Sequence, residues 1–396
     1  MHKKRLIAVA VALGLPLAAH AADSNVTIYG QLYPQFQIVK GSGATAAGVS
    51  ASTLGAPPTG VNVVTHNEVA ASASKLGFRG TEDLGGGLKA IWQIEQEIPL
   101  DVGGGVFADR PSFVGLSGGF GTIKLGRMNT VYRDIRAVRN FLGVGGGNFT
   151  GESSIIARPG FGTSSSGSFQ LRQSNAVLYE SPEFGGVQFL VMYSPDEAKT
   201  ASKNADLVSY GVTYVAGPLY LALAHEIHND FFGGSRNVPT AIANPTTGAT
   251  GVHSKDQAVR ASAKYKFGAT QVKLDVGRLE YKESGGAPGR FESYKKNVYA
   301  VDVAQKFGKV TAEIGYARGS PSGCTLAGGV ACSTGGLDGK LINVGASYDF
   351  SKRTWLFVQY TKLINGSSAT HDNIDNAAPS PGTDVSQLAV GISHKF

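Results

Sequence analysis

Charge is scarce in this chain. Asp, Glu, Lys and Arg make up 16% of its 396 residues, against roughly 25% in ordinary globular proteins. Such a chain must place much uncharged surface somewhere other than water. Long hydrophobic runs are also missing. A helix that crosses a bilayer needs ~20 consecutive apolar residues, and the one sustained apolar run spans only 6–19. It follows Lys3, Lys4 and Arg5 and ends in Ala19-His20-Ala21. That is the pattern of a secretory leader. Residues 1–21 are therefore expected to be cleaved, leaving 22–396 as a single domain. Loss of the leader's three cations lowers the formal charge from +7 to +4.

Cysteine is nearly absent. Cys324 and Cys332 lie eight apart in a Gly/Ser-rich stretch. In an exported chain this reads as one disulfide across a loop; a metal pair is the minor alternative, since no His lies nearby. Disorder is excluded, because 42% of residues are hydrophobic and 9% aromatic, enough to build an apolar face. Glycine is abundant, at 54 residues, but it clusters at turns with no collagen-like period.

The apolar residues recur with period two. In NVTIYGQLYPQFQIVK, from Asn25, the residues Val26, Ile28, Leu32, Phe36 and Ile38 share one face. Thr27, Gln31, Gln35 and Gln37 share the other. In LKAIWQIEQEI, from Leu88, Ala90, Trp92 and Ile94 oppose Lys89, Gln93, Glu95 and Glu97. Such alternation means long strands with one apolar and one polar face. Similar stretches continue to Phe396.

The connections alternate in length. Short ones include 83–87, 117–121, 268–269 and 308–309; long ones are 41–67, 128–170, 228–255, 319–339 and 364–383. Short turns at one end and long polar loops at the other mark a transmembrane antiparallel β-barrel, with periplasmic turns and extracellular loops. In lipid every backbone N–H and C=O needs a partner within the protein, and a closed barrel supplies one for each. The alternation gives about sixteen strands, with fourteen or eighteen as the alternatives. At that number a barrel encloses an aqueous channel rather than a core of side chains.

Several motifs then occur in order. SKLGFRGTEDLGGGLKAIWQIE (74–95), FVGLSGGFGTIKLGR (113–127), SNAVLYESPEFGGVQFLVMY (174–193) and the ending VGISHKF resemble the general diffusion porins of Gram-negative outer membranes. The opening SNVTIYGQL (24–32) agrees. The resemblance implies an outer-membrane homotrimer whose third loop folds into the lumen. It implies passive diffusion of small hydrophilic solutes and ions, with a substrate-specific channel for organic anions or sugars as the alternative. The terminal Phe396, sharing a face with Leu388, Val390 and Ile392, looks like the family's signal to the outer-membrane assembly machinery. Lipid and lipopolysaccharide are the other expected partners.

Selectivity in a wide pore is set by its diameter and by charge at its narrowest point. With Leu76 and Phe78 facing lipid, Lys75 and Arg79 face the lumen. By resemblance, the positions of Lys75, Arg110 and Arg172 form a basic cluster on the wall opposite the inward loop. That loop, 128–170, carries the acids Asp134 and Glu152 beside Arg133, Arg136, Arg139 and Arg158. Asn148 stands where relatives place an acid near the loop tip. Lys75, Arg79, Arg110, Arg172 and the loop's four arginines outnumber Asp134 and Glu152, so an anion preference is expected, partly offset by Glu95 and Glu97.

Other chemistry finds no footing. His225-Glu226-Ile227-His228 is one residue short of the zinc pattern H-E-x-x-H and lies at a strand end, so no metal is expected. Residues 22–396 hold six His, and no motif sets one beside a nucleophile. An enzyme and a cofactor are therefore not expected. The basic residues are dispersed along strands, which disfavours nucleic-acid binding.

Overall fold

A computed structural model describes residues 25–71, 73–144, 151–162, 169–197, 199–231, 234–236, 238–244, 251–372 and 379–396. The expected leader and Asn148 lie outside these described residues. Eighteen strand segments form one antiparallel sheet. They are β1 (Asn25–Leu32), β2 (Gln35–Ser42), β3 (His66–Ala70), β4 (Lys75–Gly85), β5 (Leu88–Glu97), β6 (Ser112–Gly118), β7 (Gly121–Asn129), β8 (Arg172–Glu180), β9 (Val187–Pro195), β10 (Asp206–Ala216), β11 (Leu219–Asn229), β12 (His253–Phe267), β13 (Thr270–Ser284), β14 (Phe291–Phe307), β15 (Val310–Leu326), β16 (Gly339–Asp349), β17 (Thr354–Asn365) and β18 (Asp384–Lys395).

Two pairs of segments lie end to end, so the eighteen occupy sixteen positions around a closed barrel. β1 and β2 form the first position. Pro34, between them, has no N–H to give the ladder, yet its carbonyl still accepts from Ile392 N at 3.3 Å. The register against β18 runs unbroken across this gap, from Val390↔Phe36 to His394↔Leu32. It extends to the last residue: Phe396 N donates to Gly30 O at 3.2 Å, and Gly30 N to Phe396 O at 3.1 Å. The C-terminus therefore zips the barrel shut.

β3 and β4 form the second position, with one extra residue between them. The pairs Gln31↔Lys75 and Gln35↔Ala70 span four steps on one strand and five on the other. Such a bulge re-aims neighbouring side chains. Ala73 takes φ +67° there and donates its N–H to Glu97 Oε1 at 2.9 Å. Tyr33 N–H bonds Ser74 Oγ at 3.0 Å.

The polarity is inside out. Ile314, Val344, Val358 and Val390 point outward and are 43–53% exposed, the apolar band that meets lipid. Alternate residues such as Glu313, Asn343, Gln359 and Gln387 point inward and are buried. At the β4–β5 turn, Gly85, Gly86 and Gly87 all have positive φ, which only glycine adopts freely.

The loop boundaries depart from the sequence reading at three connections that it missed: 98–111, 196–205 and 285–290. The stretch 319–339 is only partly loop. β15 continues to Leu326 and keeps pairing with β14 as far as Phe291↔Leu326, past a register shift at Lys295/Lys296. Gly and Ser can extend a strand above the membrane, where side-chain packing does not select against them.

The outward assignment is testable. Val390→Arg should lower stability by about 2–4 kcal/mol, as a cation costs on a lipid-facing barrel position. Lys395→Gln, at an exposed lumen position, should stay within about 0.5 kcal/mol. Urea unfolding in lipid vesicles measures both, and an unperturbed Val390→Arg barrel would invert the assignment of faces.

Candidate functional site

The described residues of the connection from β7 to β8 (130–144, 151–162 and 169–171) lie across the lumen. They include two single helical turns, α1 (Val131–Asp134) and α2 (Ser153–Ile156). Its apolar residues Val131, Tyr132, Ile135, Ile155 and Ile156 are buried against small wall residues such as Ala222, Ala224, Ala300 and Ala317. Inward polar groups then pin its backbone. Ser209 Oγ on β10 accepts from Tyr132 N at 3.0 Å. Arg260 on β12 donates to Tyr132 O at 3.0 Å and lies 3.9 Å from the Tyr132 ring centre. Asp275 on β13 accepts from Ala137 N and Val138 N, both at 3.0 Å. Glu313 on β15 accepts from Leu142 N at 2.6 Å. Trp355 Nε1 on β17 donates to Leu142 O at 3.2 Å. Lys296 Nζ on β14 donates to Ile155 O and Arg158 O, both at 2.9 Å. The loop is thus tied to the wall from β10 to β17.

An opening of about 390 Å³ remains between the loop and the β4–β8 wall. Seven cationic side chains and three carboxylates line it. On the wall side, Glu95 joins two of the cations. Arg110 Nε lies 2.6 Å and Lys75 Nζ 3.2 Å from its two oxygens. Tyr29 OH adds a hydrogen bond at 3.1 Å, and Arg110 Nη1 also reaches Glu97 at 3.2 Å. Lys75 and Arg110 are therefore locally neutralised. Lys124 pairs with Glu180 at 2.8 Å.

The loop-side arginines have a different environment. Arg133 donates to Gln170 O at 3.0 Å, Arg136 to Arg133 O and Arg139 to Asp134 O at 3.1 Å. Across the opening, Arg172 makes 3.4 Å bonds to Asn129 Oδ1 and Asp109 O. Carbonyl oxygens satisfy donors without cancelling charge. Among the described residues these four guanidiniums have no carboxylate within ion-pair distance. Burial and the neighbouring Arg133, Arg260 and Arg139 push Arg136 down to about 9, so it still carries its charge at neutral pH. Burial, then Arg110 and Arg127 against Asp134, lowers Arg133 as well.

The remaining expected site residues are spread out. Asp134 lines the opening and accepts from Asn129 Nδ2 at 2.8 Å. Arg79 stands four residues further down β4, 5.1 Å from the Tyr29 ring centre, and is not part of the opening's lining. Glu152 is not part of the opening's lining. It is only 6% exposed, lies on the far side of the loop and is hydrogen-bonded by Asn343. Burial pushes its carboxyl up. It braces the loop and offers no negative face to the opening. Arg158 likewise reaches Asp372 O at 2.6 Å. Phe396 points outward on the face of Leu388, Val390 and Ile392. Cys324 and Cys332 are joined, with Cα atoms 5.8 Å apart. His225 bonds Tyr210 OH at 2.8 Å on the outer face, and His228 meets Glu226 at 3.0 Å inside.

Two features were missed from sequence. Glu95 and Glu97 read as a mild offset, whereas they cancel Lys75 and Arg110. The signal lay in their inward parity beside Lys75, but the register was needed to pair them. The anchors Arg260, Asp275 and Lys296 carried no local signal, since other inward charges such as Asp256, Lys273 and Asp302 share their strands.

A closed barrel with a polar lumen narrowed by an inserted loop is a water-filled channel. A family model described as Gram-negative porin matches residues 8–367. The chain is 31% identical over 395 residues to Major outer membrane protein P.IB of Neisseria gonorrhoeae and 30% identical over 395 to that of Neisseria lactamica, with 100% of each chain covered in both cases. Its fold is similar to that of an anion-selective porin from Comamonas acidovorans (TM-score 0.70, 24% identity, covering 94% of this chain and 100% of that one). It is also similar to the trimer form of OmpT of Vibrio cholerae (TM-score 0.64, 14% identity, 94% and 99%). The chain belongs to the Gram-negative porin family. It is an outer-membrane channel for passive diffusion of small hydrophilic solutes and ions.

Glu95→Gln should leave Lys75 without its carboxylate and Arg110 held by Glu97 alone beside the ion path. The Cl⁻/K⁺ permeability ratio should rise about two- to fivefold, as one exposed charge at close range supplies. Reversal potentials measure it, and an unchanged ratio would take Glu95 off the path.

Proposed function

We propose that this porin prefers anions. One observation carries the reading: Arg133, Arg136, Arg139 and Arg172 face one opening and are capped by neutral oxygens rather than carboxylates. A unit charge a few ångström away is worth about 1 kcal/mol in bulk water and more at lower effective dielectric. Screening acts beyond ~8 Å at physiological salt, a distance the opening does not provide. A chloride ion entering is therefore drawn by several guanidiniums together, and a potassium ion is repelled by them. The relative from Comamonas acidovorans that carries the description anion-selective supports the same sign.

Further readings accompany it. Residues 1–21 act as the cleaved leader, and 22–396 form the barrel. The barrel assembles as a homotrimer, by likeness to the trimer form of OmpT of Vibrio cholerae. Phe396, the last residue of the closing ladder, serves as the address read by the assembly machinery. Phosphorylated lipids of the outer leaflet surround the loop-side rim. The chain acts as a passage and carries out no catalysis.

Arg136→Glu and Arg172→Glu should each lower the Cl⁻/K⁺ permeability ratio about five- to tenfold, because each reverses two units of charge at the opening. Glu152→Gln should leave the ratio unchanged, since that carboxyl lies behind the loop. Reversal potentials in planar bilayers discriminate these outcomes. A ratio that follows Glu152 and ignores the arginines would refute the proposal.

A further inference from the structure

Three loops meet over the barrel mouth on its β14–β18 side. They are residues 43–65, between β2 and β3; 327–338, between β15 and β16; and 366–372, after β17. Their backbones come into direct contact. A Cβ on Gly366 would lie 2.5 Å from Gly336 O, and one on Gly55 would lie 3.0 Å from Ser368 O. Leu54, Leu337 and Ala369, one from each loop, are fully buried. Hydrogen bonds run from loop to loop. Ser52 Oγ donates to Ser333 O at 2.5 Å, and Ser333 N to Thr53 Oγ1 at 3.2 Å. Ser52 N donates to Ser368 Oγ, and Ser368 N to Gly336 O, both at 2.9 Å. The third loop then rests on the inserted one. Thr370 N donates to Gly160 O at 2.9 Å, and His371 Nδ1 to Ser154 O at 3.0 Å. Together the three loops roof the part of the lumen that the inserted loop already crosses.

These links are neutral hydrogen bonds, each of modest net strength. One covalent link stands beside them. Cys324 is held in the β14–β15 ladder opposite Tyr294, and its disulfide fixes Cys332, the neighbour of Ser333. The stretch that neither strand nor disulfide holds thereby shrinks from 327–338 to 333–338. Both half-cystines pack against the apolar cluster that contains Leu54 and Leu337. They stay partly exposed, so a thiol in the surrounding water can reach them.

We propose that this disulfide is a redox-sensitive fastening of the roof, and that its exchange with a dithiol releases residues 43–65 from over the passage. One thiolate of the dithiol attacks the sulfur of Cys324 or Cys332, forming a mixed disulfide and expelling the other cysteine as a thiolate. The second thiolate of the dithiol then displaces the remaining cysteine. The reductant leaves as its own disulfide. Its two electrons and two protons end on the cysteine pair. Opening the loop 324–332 restores chain freedom that favours the released state on the order of 50-fold, in the chain-entropy account of disulfides. The inserted loop keeps its anchors on the barrel wall, so the charge of the opening is untouched. The inference is independent of the sign of the ion preference.

The test is limited proteolysis of the folded barrel with thermolysin, which cuts on the amino side of bulky apolar residues. The barrel is first treated with dithiothreitol, alkylated with iodoacetamide and freed of reductant. Cleavage before Leu54, in a different loop from the disulfide, should quicken about 50-fold, because cutting of a transiently opened segment tracks its open population. The double variant Cys324→Ser/Cys332→Ser should be cut equally fast without reductant and show no further response to it. Single channels of the reduced barrel should carry more current, as a resistance in series with the opening falls. Their KCl reversal potential should not change, which also shows that the barrel is folded. Faster cleavage confined to 330–338 would mean that the disulfide holds only its own loop, and would overturn the proposal. Cleavage at Leu54 that ignores both reduction and the double variant would overturn it too, as would release of 43–65 with no change in current.

Discussion

A backbone amide in hydrocarbon has no water to bond, and everything else in this chain follows from meeting that requirement. Each strand finds its partners in its two neighbours, and the first and last strands find them in each other. The closing seam tolerates a proline because Pro34 keeps its carbonyl in register with β18. It ends on mutual backbone hydrogen bonds between Gly30 and Phe396. An unpaired seam would leave amides facing lipid, each costing several kcal/mol. Closure then makes polarity alternate with the pleat, and the polar face has only the lumen to occupy.

That enclosed polar face permits a loop to enter the barrel. The loop brings backbone groups into a space where they need partners, and the wall provides them from seven strands, β10–β15 and β17. Asp275 accepts two successive amides, Glu313 another, and Lys296 donates to two carbonyls. Once these charges are spent on anchoring, the selectivity of the passage falls to groups they leave over. Those are the arginines whose donors end on carbonyl oxygens.

The barrel was legible in sequence because its signal is local. Period two over ten residues needs no knowledge of the partner strand, and the glycine-rich turns mark where each hairpin ends. The connection 196–205 was harder to read, since no Gly or Pro falls within it, whereas Gly285, Gly286, Pro288 and Gly289 do mark 285–290 as a turn. At the site, the inward facing of Lys75 could be read from Leu76 and Phe78, and that of Arg110 only from resemblance. Their neutralisation could not, because it depends on the register that sets Lys75 opposite Glu97 with Glu95 beside it. Glu152 shows the same limit. An acid in an inserted loop looks like a pore charge until its path is known, and the path here turns it toward Asn343.

The central claim is that carbonyl-capped arginines, not paired wall cations, set the charge of the passage. Its most direct measurement is the zero-current potential of the refolded, unmodified barrel in a planar bilayer under a KCl gradient. The account predicts a potential of the sign that chloride preference gives, shrinking as total salt rises and screening shortens. A potential of the opposite sign would contradict it, and would assign the passage to Glu95, Glu97 and Asp134 instead.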